Sequence, residues 1–458
     1  MKFHQVLVPV LLASFLVSGC SPNEVPTPQE TTERDGAGPA QTETSNLQFF
    51  DEGEQNEAMT SVAMAGFPNI SSEVTIHKTG VFGTQEAIEK CESAIRPVDD
   101  STGSYVLAVR LPAQLCEYDG GETLPASDTA GIVVGESFQE FSSTDEFVLG
   151  DAPRQTTEMA QNESTAFWIE TDSTALDYDN WRVFAADISD RKSRLLSKSE
   201  EVIPGLFMPA PTKLRLTSKG ERAYWNSFSP SNALQQSIEE NSVDPESLTM
   251  LDFLPTIYSV GQRGGDLQSE VVGAQDFSVQ GEGFVYVATA LLDVIDMNTG
   301  SDNQPAVRHF TEAINSRTAS GEERLVQLSP DSKGQHFSDQ EITNLQAAGS
   351  MVAFSSSSDV YLMDQSNRQV IQFAKDFLSD DEASVLISEI VLTDSRISWI
   401  MYSNDQGGSK QTIYTSDLSG NDTKRIDVGS ASGLLDNGTG LTYWTGDYAA
   451  YQKVEWKY

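Results

Sequence analysis

One short pattern, met three times, constrains this chain more than any other feature of its sequence. Trp181-Arg-Val-Phe-Ala-Ala-Asp187-Ile188, Ser358-Asp-Val-Tyr-Leu-Met-Asp364-Gln365 and Gln411-Thr-Ile-Tyr-Thr-Ser-Asp417-Leu418 align without gaps. Each carries a β-branched residue, then an aromatic, then an Asp three residues on: Val183-Phe184, Val360-Tyr361 and Ile413-Tyr414 lead to Asp187, Asp364 and Asp417. A polar turn and a further apolar strand follow (Leu195-Leu196, Val370-Ile371, Ile426). A shorter apolar strand with an aromatic precedes each one (Phe167-Trp168, Phe354, Trp399), and similar strands stand at Tyr224-Trp225, Val285-Tyr286 and Tyr443-Trp444. Runs of β-branched and aromatic residues bounded by Gly, Asn, Asp and Ser read as short strands and tight turns. A small sheet repeated in this way cannot bury its faces alone, so it must stack on its neighbours.

From Trp168, the spacings to Trp225, Tyr286, Phe354, Trp399 and Trp444 are 57, 61, 68, 45 and 45 residues. A four-stranded propeller blade takes about 40–50 residues, and the longer intervals leave room for insertions such as 230–247 and 300–323. The fold class is therefore all-β, a β-propeller of about seven blades, with six to eight as the range. Six inner strands are countable, and Gly131-Ile-Val-Val-Gly135 with Glu146-Phe-Val-Leu149 supplies the material for a seventh blade. A ring must close, or strand edges stay open. The alternating Tyr451-Gln-Lys-Val-Glu-Trp456 is placed to complete the last blade beside N-terminal residues. The recurrent Asp suits capping of a tight turn through backbone N–H groups. The recurrent Trp168, Trp225, Trp399 and Trp444 suit packing of the blades better than a ligand platform. Thr84 to Arg96 is the one segment with helical spacing: Ala87, Ile88, Cys91, Ala94 and Ile95 share a face.

The segments Asp359 to Asp364 (DVYLMD) and Thr412 to Ile426 (TIYTSDLSGNDTKRI) resemble the blade segment of TolB-like propellers and their relatives, among them the non-catalytic propeller domains of prolyl peptidases. The resemblance covers about 155–458, with 100–150 less clear, and implies the fold. The recurrent Ser-Pro-Asp-Gly turn of those propellers is absent; Ser329-Pro330-Asp331 stands elsewhere. The envelope-translocation role of TolB is therefore not carried over.

At the other end, Lys2 precedes an apolar run from Val6 to Val17. That is about a dozen residues, where a membrane-spanning helix needs roughly 20, so the run reads as a signal region. Val17-Ser18-Gly19-Cys20 resembles the lipobox of bacterial lipoproteins. The resemblance implies a signal peptide over 1–19, cleavage before Cys20, and fatty acylation (diacylglyceryl and palmitate) of that cysteine. The chain would then sit outside the cytoplasm, at the outer face of the cell membrane or on the outer membrane of a host that has one. Residues 20–64 are rich in Pro, Thr, Glu, Gln and Gly and read as a disordered acidic linker, interrupted by Leu47, Phe49 and Phe50, which could dock locally. An N-terminal region at 65–154, holding a first blade, and the propeller proper at 155–458 complete the division. With Cys20 acylated, Cys91 and Cys116 remain as an even pair in an oxidising compartment, which favours a disulfide. Two buried free thiols are the alternative.

The 68 acidic residues outnumber the 29 basic ones, for a net charge of −39. Nucleic-acid binding needs basic patches, so that class is excluded. Histidine is scarce: His4 in the signal, then His77, His309 and His336, far apart in sequence, with no HExxH, so a zinc enzyme has little to build on. No nucleophile elbow and no phosphate loop occurs; Gly261 to Gly265 (GQRGG) is a loop without the following Lys-Ser/Thr. Asp172, Asp177 and Asp179, beside Glu170, are the weak candidate for a Ca2+ site; a solvated acidic loop is the plainer reading, and no cofactor is expected. The expected function is a lipid-anchored module that binds an envelope protein or a small ligand. The alternative is an extracytoplasmic glycan hydrolase or lyase using carboxylates of the blade loops. Acids and bases converging at the channel mouth would separate the two.

Overall fold

The computed structural model describes residues 47–50, 59–77, 94–99, 104–111, 128–135, 137–141, 154–162, 164–172, 179–202, 211, 213–216, 221–244, 252–281, 283–290, 294–295, 306–307, 310–328, 342–356, 358–374, 384–405, 408–445 and 452–458. Their strands form seven antiparallel blades, running in order through 94–140, 154–198, 214–272, 274–328, 342–374, 384–428 and 432–457. The innermost strands are Ala94–Asp99, Arg154–Gln161, Leu214–Leu216, Ala274–Gln280, Ile342–Ala348, Ser384–Leu392 and Ser432–Asp436. Each touches the next, and the seventh touches the first, so the ring is closed. The fold is a seven-bladed β-propeller.

The repeated aromatics explain why the blades stack. The Trp or Phe on the second strand lies directly opposite an aromatic on the third: Trp168 and Phe184, Trp225 and Tyr258, Phe354 and Tyr361, Trp399 and Tyr414. All four pairs are stacked, with ring centroids 5.4, 6.4, 5.2 and 5.5 Å apart. These rings then fill the space between neighbouring blades. Trp225 of blade 3 packs with Phe167, Ile169 and Trp181 of blade 2, and Trp399 of blade 6 with Val360, Leu362 and Phe373 of blade 5. Packing, not ligand contact, accounts for the tryptophans. The aromatic strands counted from sequence as inner strands are second from the axis. The true innermost strands are shorter or more polar, and so carry a weaker signal.

Two of the three recurrent Asp residues cap their turns as expected. Asp364 accepts from the Ser366 N–H at 2.9 Å and from the hydroxyls of Ser366 and Ser350. Asp417 accepts from the Asn421 N–H and the Ser419 hydroxyl, each at 2.8 Å. Partial burial pushes both carboxyls up, but the hydrogen bonds outweigh it and hold them below the ordinary range. Asp187 departs from the pattern. Its side chain accepts from Thr165 and Arg194, and its turn is closed by the backbone, Arg191 N–H to Asp187 carbonyl at 2.7 Å.

The N-terminal residues make the largest departure from the sequence-based division. Leu47–Phe49 is a strand added antiparallel to the outer edge of blade 4, and Met59–Ala63 is added parallel to the outer edge of blade 5. Pro68 to Ser71 then hydrogen-bond along the outer strand of blade 6, with Ile70 N–H to Arg425 carbonyl and Arg425 N–H to Pro68 carbonyl both at 2.9 Å. Thr75–His77 finally becomes the outermost strand of blade 7, paired with Gln452–Lys457. The chain is thus belted around four consecutive blades before blade 1 begins. Leu47–Phe49 and Met59–Ala63, placed by the sequence in a linker reaching to residue 64, are strands instead. Leu47, Phe49, Met64, Phe67 and Ile70 are all buried, which is the physical reason. The expectation that N-terminal residues complete the last blade beside the C-terminal strand is met.

Ala94 to Arg96, the end of the expected helix, lies in a strand, and 84–93 falls outside the described residues. The helix among the described residues is Asn232–Glu239 in the blade 3 insertion, capped by Ser231, whose hydroxyl accepts from the Leu234 N–H. The second expected insertion is shorter than 300–323, because Phe310–Thr318 and Gly321–Leu328 are strands of blade 4. Gly131 to Val134 does belong to blade 1, within Thr129–Val134, while 146–149 lies outside the described residues.

Candidate functional site at the central channel

Innermost strands bend sharply to line an axis, and here they do so by bulging. The pairing of first to second strand slips at Pro97/Asp99, Thr156/Glu158, Ala274/Asp276, Thr343/Gln346, Ile387/Glu389 and Ser432/Leu435. Bulges re-aim side chains and free backbone groups from the ladder. In blade 7 the bulge needs Gly433, whose φ is +62° and where a Cβ would meet the Trp444 ring at 2.8 Å.

The freed groups are taken up between blades. Asn226 of blade 3 donates to the Gln275 carbonyl of blade 4, and Asp276 accepts from the Leu345 N–H of blade 5. Asn344 of blade 5 donates to the Ile387 carbonyl of blade 6, and Glu389 accepts from the Leu434 N–H of blade 7. Arg96 and Asp128 of blade 1 hold the carbonyl and N–H of Thr156 in blade 2. A polar girdle therefore surrounds the axis, inside the apolar layer of stacked rings.

Several charges gather on that girdle. Lys213, buried just before the innermost strand of blade 3, donates to Asp276 of blade 4 at 2.5 Å and to the Leu345 carbonyl of blade 5 at 2.8 Å. One ammonium thus joins three blades. Burial pushes it down to about 8 although Asp276 opposes the shift. On that strand Leu214 and Leu216 face the blade 2–blade 3 core, so Arg215, like Lys213, is on the opposite face. Arg215 acts electrostatically on Glu158 of blade 2 and on Glu389 of blade 6. Those blades are not neighbours in the ring, so this coupling reaches across the channel. Burial raises Glu158 despite Arg215, Lys213 and Arg96, and lifts Glu389 to about 7 despite the Leu434 N–H and Arg215. Asp128 is lifted to about 6 by burial.

Glu389 binds its proton more tightly folded than unfolded, so its contribution is fully present below about 4.5 and is lost as pH rises through about 7. The expected result is a denaturation midpoint that falls between pH 4.5 and 7.5. Urea unfolding of Glu389→Gln should show a flatter dependence over that window; an unchanged slope would refute the assignment.

The sequence-based candidates lie mostly elsewhere. Cys20, Cys91, Cys116 and Asp177 fall outside the described residues. Asp172 and Asp179 face each other across the mouth of a blade 2 hairpin by their backbones. Among the described residues, no group of three or more His, Cys, Asp or Glu is placed to hold a metal. His77 is on the edge strand of blade 7, 3.0 Å from Glu455. Glu158, Lys213, Arg215, Asp276 and Glu389 were not singled out from sequence. The available signal was a charge inside an otherwise apolar or small-residue strand, as in Leu214-Arg215-Leu216 or Ser388-Glu389-Ile390.

No protein-family model matches the chain, and neither does any curated protein. Solved propellers resemble it at low identity. Pyrococcus horikoshii acylaminoacyl peptidase is 11% identical with a TM-score of 0.47, over 81% of this chain and 52% of that one. The chain thus spans about half the peptidase's length. The β-propeller domain of the Trilobed protease from Pyrococcus furiosus is 9% identical with a TM-score of 0.43, over 80% of this chain and 95% of that one. The likeness is one of fold.

Proposed function

We propose that this chain is a lipid-anchored extracytoplasmic propeller that binds a ligand or an envelope protein at its channel. The observation that carries the reading is the convergence of charged groups from blades 1, 2, 3, 4 and 6 on the axis, where, among the described residues, Arg215 and Glu158 take no part in the hydrogen bonds that link the blades. The Val17-Ser18-Gly19-Cys20 motif supports the anchor, and Leu47–Phe49 lies at the outer edge of blade 4, away from the innermost strands. Among the girdle's carboxylates, Asp276 is committed to Lys213 and Leu345 and Glu389 gives one oxygen to Leu434, which favours binding over glycan cleavage.

Two readouts test it. Cys20→Ala should abolish fatty-acid labelling and move the protein from the membrane to the soluble fraction; full retention would overturn the anchor. A photo-crosslinking residue placed at Gln346, on the innermost strand of blade 5, should capture a partner on intact cells. A probe on the outer edge of blade 3, at Val272, should not. Equal capture at both would count against the channel.

A further inference from the structure

We propose that the channel, on the binding reading above, takes a small hydroxylated carboxylate, with Arg215 holding its carboxylate group. The chemistry of the unengaged atoms points there. Among the described residues, the Arg215 guanidinium donates to the Leu214 carbonyl at 2.8 Å and enters no ion pair. A guanidinium has five N–H donors in a planar fork that matches a carboxylate edge-on. Glu158 and Glu389 feel its charge, but no described carboxylate is within ion-pair distance of the fork, and a carboxylate ligand would satisfy its remaining N–H groups.

The neighbours narrow the class. Lys213 and Arg96 also bear electrostatically on Glu158, so the blade 1 to blade 3 side of the axis holds three cations. Glu158 accepts no hydrogen bond from a described residue, and Glu389 uses Oε2 alone, for Leu434. Their remaining oxygens can accept from hydroxyl groups, or donate to them when protonated. Two carboxyls so placed disfavour a dianion such as phosphate and suit a singly charged ligand rich in hydroxyls. An acidic monosaccharide or a sugar acid has that make-up.

The experiment is calorimetric titration of the purified mature chain with D-glucuronate, D-glucose and inorganic phosphate. Glucuronate should bind at least tenfold more tightly than glucose or phosphate. Arg215→Ala should weaken glucuronate at least thirtyfold, while Arg215→Lys, which keeps the charge but loses the fork, should recover only part. Thermal unfolding of both variants within a few degrees of the parent shows that the ring is intact. Absence of glucuronate binding, phosphate binding as tightly, or an Arg215→Ala variant that binds normally would each overturn the ligand assignment. Channel crosslinking at Gln346 is read separately, so the ligand class can fail while the binding site stands.

Discussion

A chain from which residues 1–77 have been removed is expected to lose its cooperative unfolding transition. The belt buries Leu47, Phe49, Met64, Phe67 and Ile70 against blades 4 to 7. Full burial of such side chains stabilises by about 1.5–3 kcal/mol each, so the five sum to roughly 7–15 kcal/mol before the cost of ordering the segment. That equals the whole net stability of a typical domain, about 5–15 kcal/mol. Blade 7 would also lose its fourth strand and expose the Gln452–Lys457 edge to association. Light scattering and circular dichroism during a urea titration check both effects; a sigmoidal transition at the parental midpoint would refute the belt's role. A milder variant isolates one contact. Phe67 meets Tyr414, Trp399 and Phe373 edge-on at 5.6, 6.1 and 6.3 Å. Phe67→Ala should therefore cost about 3–5 kcal/mol while the ring stays closed.

Lys213→Ala is expected to be among the most damaging single changes in the molecule. The ammonium is buried, and its removal strands the Asp276 carboxylate beside the axis and leaves the Leu345 carbonyl without that donor. Breaking a buried pair by deleting one partner costs about 3–5 kcal/mol. Part of that loss is the unpaired charge, so Lys213→Ala combined with Asp276→Asn should be more stable than Lys213→Ala alone. Urea midpoints of the two single variants and the double variant supply the coupling. A double variant as unstable as the sum of the singles would show that the two groups act independently.

What could be read from sequence, and what could not, follows from how each feature is encoded. Aromatic-bearing strands such as those of Trp399 and Tyr414 recur along the chain, so the propeller of about seven blades was legible, as was closure beside the C-terminal strand. The belt was not, because Met59 to Ala63 and Leu47 to Phe49 are short strands in a polar, Glu-rich context. Their partners lie about 280 to 310 residues away, as in the pairings of Leu47 with Leu328 and Met59 with Val370. The girdle escaped for another reason. Its residues differ from blade to blade (Glu158, Asp276, Leu345, Glu389, Leu434), so no repeat marks the position. Only the bulges, which are backbone features, recur there.

The belt also bears on the order in which the molecule is made. His77 meets Glu455 across a separation of 378 residues, so the strand that seals the ring is synthesised early and finds its partner last. Contacts of that span slow folding. Phe49 stays uncovered until blades 4 and 5 are made, and Phe67 until blades 5 and 6 are made, so the belt's aromatic side chains wait through most of synthesis.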